Sequence, residues 1–347
     1  MKKNLRYWLL YLIFVTLITL IFCEGFARLM HLAPLLNSQY SFFIQDPYLP
    51  YKPQPFSVVE GRTKLDLFDY HYQYNQYGFR DQEYSLEKKP GVYRILGIGD
   101  SFTYGIGANF EDTFLRQLEV KLNNEDYSRQ VEIIKAGIPG YFPEPERMLL
   151  EHYGVEFKPD FILVGFLAND IMGTHLGIDY MSLDKQGHLK TKEAQTLGRL
   201  GSFLYIHSHV ARIFLHKYVE YIQDSKYKLK IYDVMDFSAF YAPSWEKIEK
   251  EFIKMIDLAD SINAKIGFVY IPQDNEWTIK NSYPRKRLAG FCDTNNVFFI
   301  DVTIPMGQTA QTTQESLYWQ FDGHCTKSGY KVIADTLYNF FQKKEYL

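Results

Sequence analysis

Short apolar runs alternate with longer amphipathic stretches along most of this 347-residue chain. The clearest apolar runs are residues 93–99, 131–134, 161–166, 266–271 and 297–302. Runs that are apolar at most positions, and not only at every second one, are typical of strands buried on both faces. Stretches with helical spacing predict helices over residues 113–124, 145–157, 245–263 and 328–343. Asp112 or Thr113 can cap the first of these helices.

This alternation of buried strands and helices predicts an α/β fold. We expect a five-stranded parallel sheet covered by helices on both faces, in three layers, α/β/α. In such a sheet, functional residues gather at the carboxyl ends of the strands. Residues 171–241 interrupt the alternation, and within them Phe203 to Ile222 carries apolar residues at the spacing of an amphipathic helix. We interpret this interval as an insertion beside the site.

The N-terminal apolar segment predicts a membrane anchor. Residues 7–23 contain no charge, whereas Lys2, Lys3 and Arg6 precede them and Glu24 follows. The segment is at the lower limit of length for crossing a bilayer, and its basic flank favours an N-terminus in the cytoplasm. We therefore predict a single-pass anchor in the inner membrane, with the remaining chain periplasmic or otherwise extracytoplasmic.

Three alternatives to an uncleaved anchor stay open. A cleaved signal peptide would have small residues at its cleavage site, and residues 20–24 provide none. A lipoprotein signal would use Cys23 as the acylated residue, with bulky Phe22 before it. A buried helix of a soluble protein is the third alternative, although the segment is apolar on all sides and flanked by lysines.

Three regions follow from these patterns. Residues 1–23 form the cytoplasmic tip and the transmembrane anchor. Residues 24–90 are rich in Tyr, Pro and Gln, and the proline-containing stretch 47–53 predicts extended chain, so we interpret this region as a stalk leading into a small cap. Residues 91–347 form the α/β domain with its insertion at about 171–241.

Composition limits the function classes. The chain is 46% hydrophobic and 23% charged with a formal net charge of −3, which excludes disorder, collagen and a nucleic-acid partner held by bulk positive charge. The three cysteines (Cys23, Cys292 and Cys325) allow at most one disulfide and lack the spacing of a zinc site. Aromatic residues make up 17% of the chain, which suits a surface that meets carbohydrate or a membrane interface, or a low-GC genome.

The first predicted strand ends in Gly99, Asp100 and Ser101. A serine directly after a buried strand is exposed at the carboxyl edge of the sheet. It can lie at a helix N-terminus, where the helix dipole favours an attacking alkoxide. Ser101 is therefore a candidate nucleophile, although Gly-Asp-Ser by itself also fits an ordinary turn.

Two further strand ends carry groups that can stabilise negative charge. Gly140 follows the second strand, and a glycine there lets the backbone approach a substrate and present its N–H. Asn169 follows the third strand and brings a neutral amide donor to the same edge, while Asp170 beside it can cap a helix or hold the loop. Taken separately, both segments also fit simple turns.

Asp322 and His324 follow the fifth predicted strand. In an extended segment, side chains two residues apart point the same way. Asp322 can then accept a hydrogen bond from one imidazole nitrogen and leave the other for a serine. The four strand ends together supply the nucleophile, base, acid and oxyanion donors of one acyl-transfer apparatus.

From about Tyr93 to Phe341 the chain resembles the SGNH, or GDSL-type, esterase and acylhydrolase superfamily, because its Ser, Gly, Asn and His blocks occur in the family's order. The resemblance implies a flavodoxin-like, three-layer α/β/α fold. Residues 75–81, Asn-Gln-Tyr-Gly-Phe-Arg-Asp, also resemble the lead-in of membrane-anchored bacterial members.

The same resemblance implies roles for the site residues. Ser101 is the nucleophile, His324 the general base and Asp322 the acid. The oxyanion hole is formed by the backbone N–H groups of Ser101 and Gly140 with the Asn169 amide, and Asp100 and Asp170 support it. No metal and no organic cofactor is implied.

Two positions depart from the family pattern. Many members place the acid three residues before the histidine, where this chain has Phe321, whereas Asp322 precedes His324 by two. This Asp-x-His spacing resembles that of SGNH-like proteins that acetylate exported polysaccharides such as alginate. Lys135 stands where related chains often have Asn, and we expect it to alter substrate contacts near that loop.

We therefore expect a serine esterase that acts through an acyl-serine intermediate on an O-acyl carbohydrate or lipid of the cell envelope. A first alternative is an O-acetyltransferase that modifies an envelope polysaccharide and needs a membrane acyl-donor partner. A second is a non-catalytic, anchored glycan-binding protein, which the aromatic content and the acid spacing also fit. A short-chain nitrophenyl ester, tested on wild type and Ser101→Ala, separates this second alternative from the catalytic ones.

Overall fold

The computed structural model describes residues 2–30, 32, 43–62, 68–125, 129–178, 181, 183, 192–227, 238–320 and 322–344. Parts of the predicted stalk (31, 33–42 and 63–67) and of the predicted insertion (179–180, 182, 184–191 and 228–237) lie outside these ranges. Met1–Ser38 and Lys190–Leu229 form one compact unit, and Gln39–Leu189 with Lys230–Leu347 form a second.

Nine strands and eleven helices are named below, in chain order, within the described ranges. The strands are β1 (Phe43–Ile44), β2 (Lys52–Pro53), β3 (Val58–Arg62), β4 (Asp69–Gln73), β5 (Val92–Gly99), β6 (Gln130–Gly137), β7 (Phe161–Phe166), β8 (Lys265–Tyr270) and β9 (Phe298–Asp301). The helices are α1 (Lys2–Leu29), α2 (Ser101–Tyr104), α3 (Phe114–Asn123), α4 (Pro143–His152), α5 (Asn169–Leu176), α6 (Lys192–His207), α7 (His209–Tyr227), α8 (Ser238–Ser261), α9 (Tyr283–Thr294), α10 (Thr303–Thr312) and α11 (Lys327–Lys344).

The second unit is built on a five-stranded sheet with the order β6-β5-β7-β8-β9, in which all four pairings are parallel. Every residue of β5 and β7 is buried, as expected for central strands covered on both faces. From β5 the chain passes to β6 on one side of the sheet and then crosses to β7 on the other side of β5. The loops after β5 and β7 therefore diverge and leave a crevice at the carboxyl edge. Ser101 follows β5 directly.

The two faces of the sheet carry separate apolar cores. On one face, Leu96, Val164 and Phe268 pack with residues of α4, α8 and α9, among them Leu149, Phe252 and Leu288. On the other face, Ile95, Leu163 and Val269 pack with residues of α3, α10 and α11, among them Leu118, Met306 and Leu337. Neighbouring residues of each strand belong to opposite cores, because successive side chains of a strand point to opposite faces of the sheet. The predicted five-stranded parallel sheet in three layers, α/β/α, is confirmed.

The helices that the sequence pattern missed include α9 and α10. They flank the edge strand β9 and have short apolar faces, so their pattern is weak. Thr113 is the residue preceding α3, but its hydroxyl donates to the Phe110 carbonyl and does not cap the helix. Cys23, Cys292 and Cys325 are free thiols, and the latter two are buried.

Residues 43–90, predicted as part of the stalk and cap, pack against the sheet domain. They form two small antiparallel hairpins, β1 with β2 and β3 with β4. Tyr51 and Phe79 belong to the same core as the sheet residues of the first face. Arg80 and Asp81 are buried, and both bind parts of the sheet domain. This region therefore contributes side chains to the interior of the second unit.

Lys135 on β6 is buried in a polar network and does not face a substrate, so the expectation that it alters substrate contacts is wrong. Its ammonium lies 3.1 Å from Asp81 Oδ1 and 3.1 Å from Glu119 Oε2, and it donates to the Ile133 carbonyl at 2.6 Å. All three charged side chains are at most 5% exposed. The lysine joins the segment before β5 to α3 and the edge strand.

Lys135→Met should destabilise the second unit by about 3–5 kcal/mol, because it leaves two carboxylates buried without their cation. Lys331→Met is a matched control, since that lysine pairs with Asp335 at 2.7 Å on the surface and is 59% exposed. The control should cost less than about 1 kcal/mol. Urea unfolding of both variants in detergent measures the difference, and equal losses would contradict a buried role for Lys135.

In the first unit, α1 is the one helix among the described residues that is long and apolar enough to cross a membrane, over Tyr7–Leu29. The helices α6 and α7 belong to the same unit. The predicted helix from Phe203 to Ile222 is divided in the structure, because α6 ends at His207 and α7 begins at His209.

Candidate active site

Ser101 is the first residue of α2, a single helical turn that follows β5. Asp100 precedes it and caps this turn, its carboxylate accepting a hydrogen bond from the Phe102 N–H at 2.9 Å. Because α2 has only four residues, its dipole adds little to the stabilisation of an alkoxide. The turn instead fixes the direction of the Ser101 side chain at the carboxyl edge of the sheet.

Close packing explains the glycine before this turn. A Cβ atom at Gly99 would lie 2.2 Å from the hydroxyl oxygen of Thr103 and 3.3 Å from the Gly165 carbonyl. We call α2, which carries the candidate nucleophile Ser101, the nucleophile turn. Its backbone can approach β7 this closely only because Gly99 has no side chain. Any larger residue would displace Ser101.

The loop after Ser101 is held by three side chains from distant segments. The Arg80 guanidinium donates to the carbonyls of Gly105 at 2.7 Å and Ala108 at 2.8 Å. Trp319 donates its indole N–H to the Gly107 carbonyl at 2.9 Å, and Tyr330 donates its hydroxyl to the Ile106 carbonyl at 2.7 Å. These four hydrogen bonds fix the backbone of the loop, so Arg80, Trp319 and Tyr330 are positioning residues.

His324 and Asp322 meet Ser101 in a continuous chain of hydrogen bonds. The Ser101 hydroxyl lies 2.7 Å from His324 Nε2. The other ring nitrogen, Nδ1, lies 2.5 Å from Asp322 Oδ1. His324 and Asp322 are each less than one-fifth exposed, so the pair is largely shielded but open to a substrate. The arrangement has the geometry of a nucleophile, a general base and an orienting acid.

The segment that carries this pair is a turn, and the expectation of an extended segment is wrong. Gly323 has a φ of +80°, in the left-handed region, and its N–H donates to the Trp319 carbonyl at 2.9 Å. The turn, and not strand alternation, therefore places Asp322 beside the His324 ring. The Asp322 carboxylate also accepts from the His324 backbone N–H at 3.3 Å.

Backbone pairing on both sides keeps His324 in place. Tyr318 and Cys325 form an isolated antiparallel bridge, and the Trp319 N–H donates to the His324 carbonyl at 2.8 Å. The hydroxyl of Tyr318 donates to the Pro272 carbonyl at 2.5 Å, which ties the loop to the end of β8. These hydrogen bonds tie the backbone on both sides of His324 to the sheet domain.

Asn169 is brought next to the nucleophile turn through Asp100. Its amide donates one hydrogen bond to Asp100 Oδ2 at 2.8 Å, and the same carboxylate oxygen lies 3.4 Å from the Ser101 hydroxyl. An amide has two N–H donors, so a second remains for a developing oxyanion. Asp170 accepts from the Leu167 N–H at 2.9 Å and holds the start of α5.

Gly140 lies in the loop after β6, three residues beyond Gly137, which pairs with Gly99 in the sheet. The loop is supported by Tyr51, whose hydroxyl donates to the Pro139 carbonyl at 2.7 Å. A Cβ atom at Gly140 would lie 2.8 Å from that hydroxyl. Tyr141 donates its own hydroxyl to the Tyr51 carbonyl, so the two segments hold each other.

A group of buried carboxyls lies behind the nucleophile turn. Asp100, Glu146 and Asp170 are each about 1% exposed. Neither oxygen of Glu146 has a hydrogen-bond partner among the described residues. Burial raises the pKa of Asp100. Burial, and after it the neighbouring charge of Asp100, raises the pKa of Glu146 well above that of an ordinary carboxyl. Burial also raises the pKa of Asp170 well above its usual range, with the charges of Glu146 and then Asp100 as further causes.

Glu146→Gln should stabilise the protein in a pH-dependent way. The raised pKa means that the folded state keeps a proton that the unfolded state releases above its usual value of about 4.3. Below that pH the buried Glu146 therefore does not lower the free energy of unfolding. As the pH rises toward the folded-state pKa, the free energy of unfolding decreases. Glutamine imitates the protonated carboxyl without this cost. The variant should melt at a higher temperature than wild type at neutral pH, and the advantage should vanish near about pH 4. A Tm difference that stays constant with pH would contradict a neutral Glu146.

Sequence reasoning missed several residues that shape the site. Arg80 is within the segment 75–81 that resembles a family lead-in, which was the available signal, but its contact with the nucleophile loop could not be predicted. Tyr51 contacts the Pro139 carbonyl, 88 residues further along the chain, and Glu146 is buried. Neither residue lies in a local sequence motif. Among the described residues, no group of three or more His, Cys, Asp or Glu side chains could hold a metal ion.

Fold and site together define a class: an α/β/α protein whose serine, histidine and aspartate meet at the carboxyl edge of a parallel sheet. The chain is similar to solved structures of G-D-S-L-type lipolytic esterases. One similar structure is a member of the lipolytic protein G-D-S-L family from Veillonella parvula DSM 2008, with 14% identity and a TM-score of 0.43, covering 73% of this chain and 99% of that one. Another is Axe2, an acetylxylan esterase from Geobacillus stearothermophilus, with 12% identity and a TM-score of 0.44, covering 72% and 93%. No protein-family model and no curated protein matches the chain.

Proposed function

We propose that this protein is a serine esterase, anchored in the inner membrane by α1, that hydrolyses O-acyl esters of carbohydrates in the cell envelope. The observation that carries the esterase proposal is the chain of hydrogen bonds from Ser101 through His324 to Asp322, with 2.7 Å and 2.5 Å between its atoms. Anchoring is supported by the apolar helix α1 and by the basic residues that precede its span.

In the first half of the proposed cycle, the Ser101 oxygen attacks the ester carbonyl carbon while its proton moves to His324 Nε2. Asp322 accepts from Nδ1–H and stabilises the imidazolium that forms. The oxyanion is held by the backbone N–H groups of Ser101 and Gly140 and by the Asn169 amide. His324 then protonates the departing alkoxide, the carbon–oxygen bond breaks, and an acyl-serine remains.

In the second half, a water molecule gives a proton to His324 Nε2 and attacks the acyl carbonyl. Collapse of the second tetrahedral intermediate returns the proton to the Ser101 oxygen and releases a carboxylic acid. The same residues catalyse transfer when a sugar hydroxyl replaces water. Transfer is the second candidate function, and the Asp-x-His spacing of Asp322 and His324 favours it.

The carbohydrate part of the proposal rests on aromatic residues beside His324. Phe68 and Trp319 form a half-buried pair with ring centroids 5.3 Å apart, and the Phe102 ring lies 4.8 Å from the imidazole. The faces of aromatic rings pack well against the apolar faces of sugar rings. In this proposal the sugar ring packs against Trp319 while its acetyl group lies at Ser101.

A fluorophosphonate probe tests the esterase proposal directly, because it forms a covalent bond only with an activated serine. The full-length protein in detergent should gain the mass of one phosphonyl group, and peptide mapping should locate it on Ser101. The Ser101→Ala variant should gain none, whereas Ser261→Ala, which changes an exposed serine on α8, should label like wild type. Absence of label, or label on another serine, would reject the assignment.

Acetylated oligosaccharides separate hydrolysis from transfer. With an acetylated xylo- or manno-oligosaccharide alone, the proposed esterase should release acetate at a rate that depends on Ser101. When an unacetylated acceptor glycan is added in excess, an esterase still releases free acetate, whereas a transferase yields an acetylated acceptor. Binding of the glycans without either product would favour the non-catalytic alternative.

A further inference from the structure

The helices α6 and α7 pack against each other as a helical pair, residues 192–227, in the same compact unit as α1. One residue, Ser208, separates the two helices. Gly198, with a φ of +63°, marks a kink near the start of α6. We use the name "helical pair" for residues 192–227 below.

The helical pair is hydrogen-bonded to the end of α1 through one glutamate. Glu24 accepts hydrogen bonds from the Ser208 hydroxyl at 2.8 Å, from the His209 N–H at 3.0 Å and from the Val210 N–H at 3.1 Å. The carboxylate therefore caps α7, whose first N–H groups have no partner within the helix. Arg28 reinforces the joint by donating to the His207 carbonyl at 2.6 Å.

The position of Glu24 sets the level of this joint relative to a membrane. Residues 7–23 are uncharged, and at 1.5 Å per residue they extend over about 25 Å, slightly less than the roughly 30 Å of a bilayer core. Glu24 is the first charged residue after them. When α1 spans the membrane, the helical pair must lie at the outer surface of the bilayer, because Glu24 and Arg28 hold it there.

The helical pair exposes an unusual amount of apolar surface at this level. On α6 the exposed residues are Leu200, Phe203 and Leu204, and on α7 they are Phe214, Tyr218 and Tyr221. Phe214 and Tyr221 are each 70% exposed. Positions 214, 218 and 221 share one face of α7, since they are separated by four and three residues. Exposed patches of this kind on a helix mark a contact surface.

Charge at the edges of the patch favours lipid as the occupant. Arg199 and Lys217 are exposed beside the apolar residues of α6 and α7. Basic side chains with long aliphatic stems can keep their charge among lipid headgroups while their stems lie on apolar surface. Tyrosine is enriched at this depth because its ring is apolar and its hydroxyl is polar. The end of α1, to which the helical pair is hydrogen-bonded, also exposes the apolar residues Phe26 and Leu29.

We infer that the helical pair 192–227 is a second membrane contact, lying in the headgroup region with Leu200, Phe203, Phe214 and Tyr221 in the acyl boundary. This inference rests on the anchoring part of the proposed function, since Glu24 brings the helical pair to the membrane only when α1 spans it. Its contacts resemble those of an interfacial amphipathic helix. The inference assigns to part of the predicted insertion a role in fixing the protein at the bilayer surface.

Fluorophore depth measurements test this inference on the full chain in lipid nanodiscs. Cys23 is replaced by serine because it is exposed and would react with the label. Cys292 and Cys325 are kept, since they are buried and do not react. An environment-sensitive fluorophore is then attached at Phe214→Cys, at Phe14→Cys within α1, or at Ile304→Cys, an exposed residue of the second unit. Nanodiscs of phosphatidylglycerol and phosphatidylcholine, with and without doxyl-labelled lipid, report contact with acyl chains.

We expect blue-shifted emission and loss of fluorescence with doxyl lipid at positions 14 and 214, and neither effect at position 304. A label at 214 that stays in water while position 14 is quenched would overturn the inference and leave the anchor intact. A blue shift at 214 without lipid quenching, growing with protein concentration, would show a second copy of the chain as occupant and would also overturn it. A water-exposed label at both positions would reject the anchor and the inference together, whereas ester hydrolysis is measured independently.

Discussion

Ser101→Ala should lower kcat for a short-chain nitrophenyl ester by roughly 10⁵–10⁶-fold, because no other group at the site can form the acyl-enzyme. The substitution removes the one oxygen that lies 2.7 Å from His324 Nε2. Residual turnover should come from the oxyanion donors, which still polarise a bound carbonyl toward water. KM should change much less than kcat, since the hydroxyl contributes little to binding the ground state.

The fold of the Ser101→Ala protein must be shown to persist for this result to count. Ser101 is buried, but its removal leaves a cavity of one oxygen atom and preserves the cap that Asp100 provides for Phe102. Far-UV circular dichroism and Tm should therefore match wild type. Ser261→Ala should retain full activity. A variant that folds normally and hydrolyses the ester at the wild-type rate would end the assignment of Ser101.

Asp322→Asn should lower kcat by about 10⁴-fold. Asparagine keeps the shape of the side chain, but its amide cannot stabilise the imidazolium. It also favours the ring tautomer that places a proton on Nε2, where the serine proton must go. The 2.5 Å contact between His324 Nδ1 and Asp322 Oδ1 is the reason for expecting so large a loss.

The Asp322 variant also tests whether the unusual acid spacing matters. Asp274→Asn is the matched control, since Asp274 is an exposed aspartate of the same unit. The control should stay within about two-fold of wild type. A loss of less than ten-fold in Asp322→Asn would mean that another group orients His324, and the triad would have to be reassigned.

The sheet could be predicted from sequence because the central strands are apolar at nearly every position and are followed by turns or loops. Residues 161–166 are an example, since every one of them is buried in β7. The helix α9 gave no such signal, because Tyr283–Thr294 mixes apolar and basic residues. The hairpins between residues 43 and 73 were missed for a different reason. Their strands are two to five residues long, and pairing partners determine them more than side-chain period.

The candidate site was predictable as far as its residues follow strands, because the topology alone brings the ends of β5, β6 and β7 together. Ser101, Gly140 and Asn169 belong to this group. His324 and Asp322 were predicted as a pair for a reason that the structure corrects, since the turn at Gly323 aligns them. Glu146 could not be found at all, because a glutamate on an amphipathic helix ordinarily faces water.

The hydrogen bonds from Arg80 to the loop after Ser101 limit where the chain can be shortened. A fragment that begins at residue 91 would keep every predicted catalytic side chain, yet the carbonyls of Tyr104, Gly105 and Ala108 would lose Arg80 as donor, and the Pro139 carbonyl would lose Tyr51. Soluble versions for crystallography or kinetic work should therefore start upstream of Phe43, so that Tyr51 and Arg80 are retained. Low activity in a shorter fragment would then report a missing scaffold and not a missing triad.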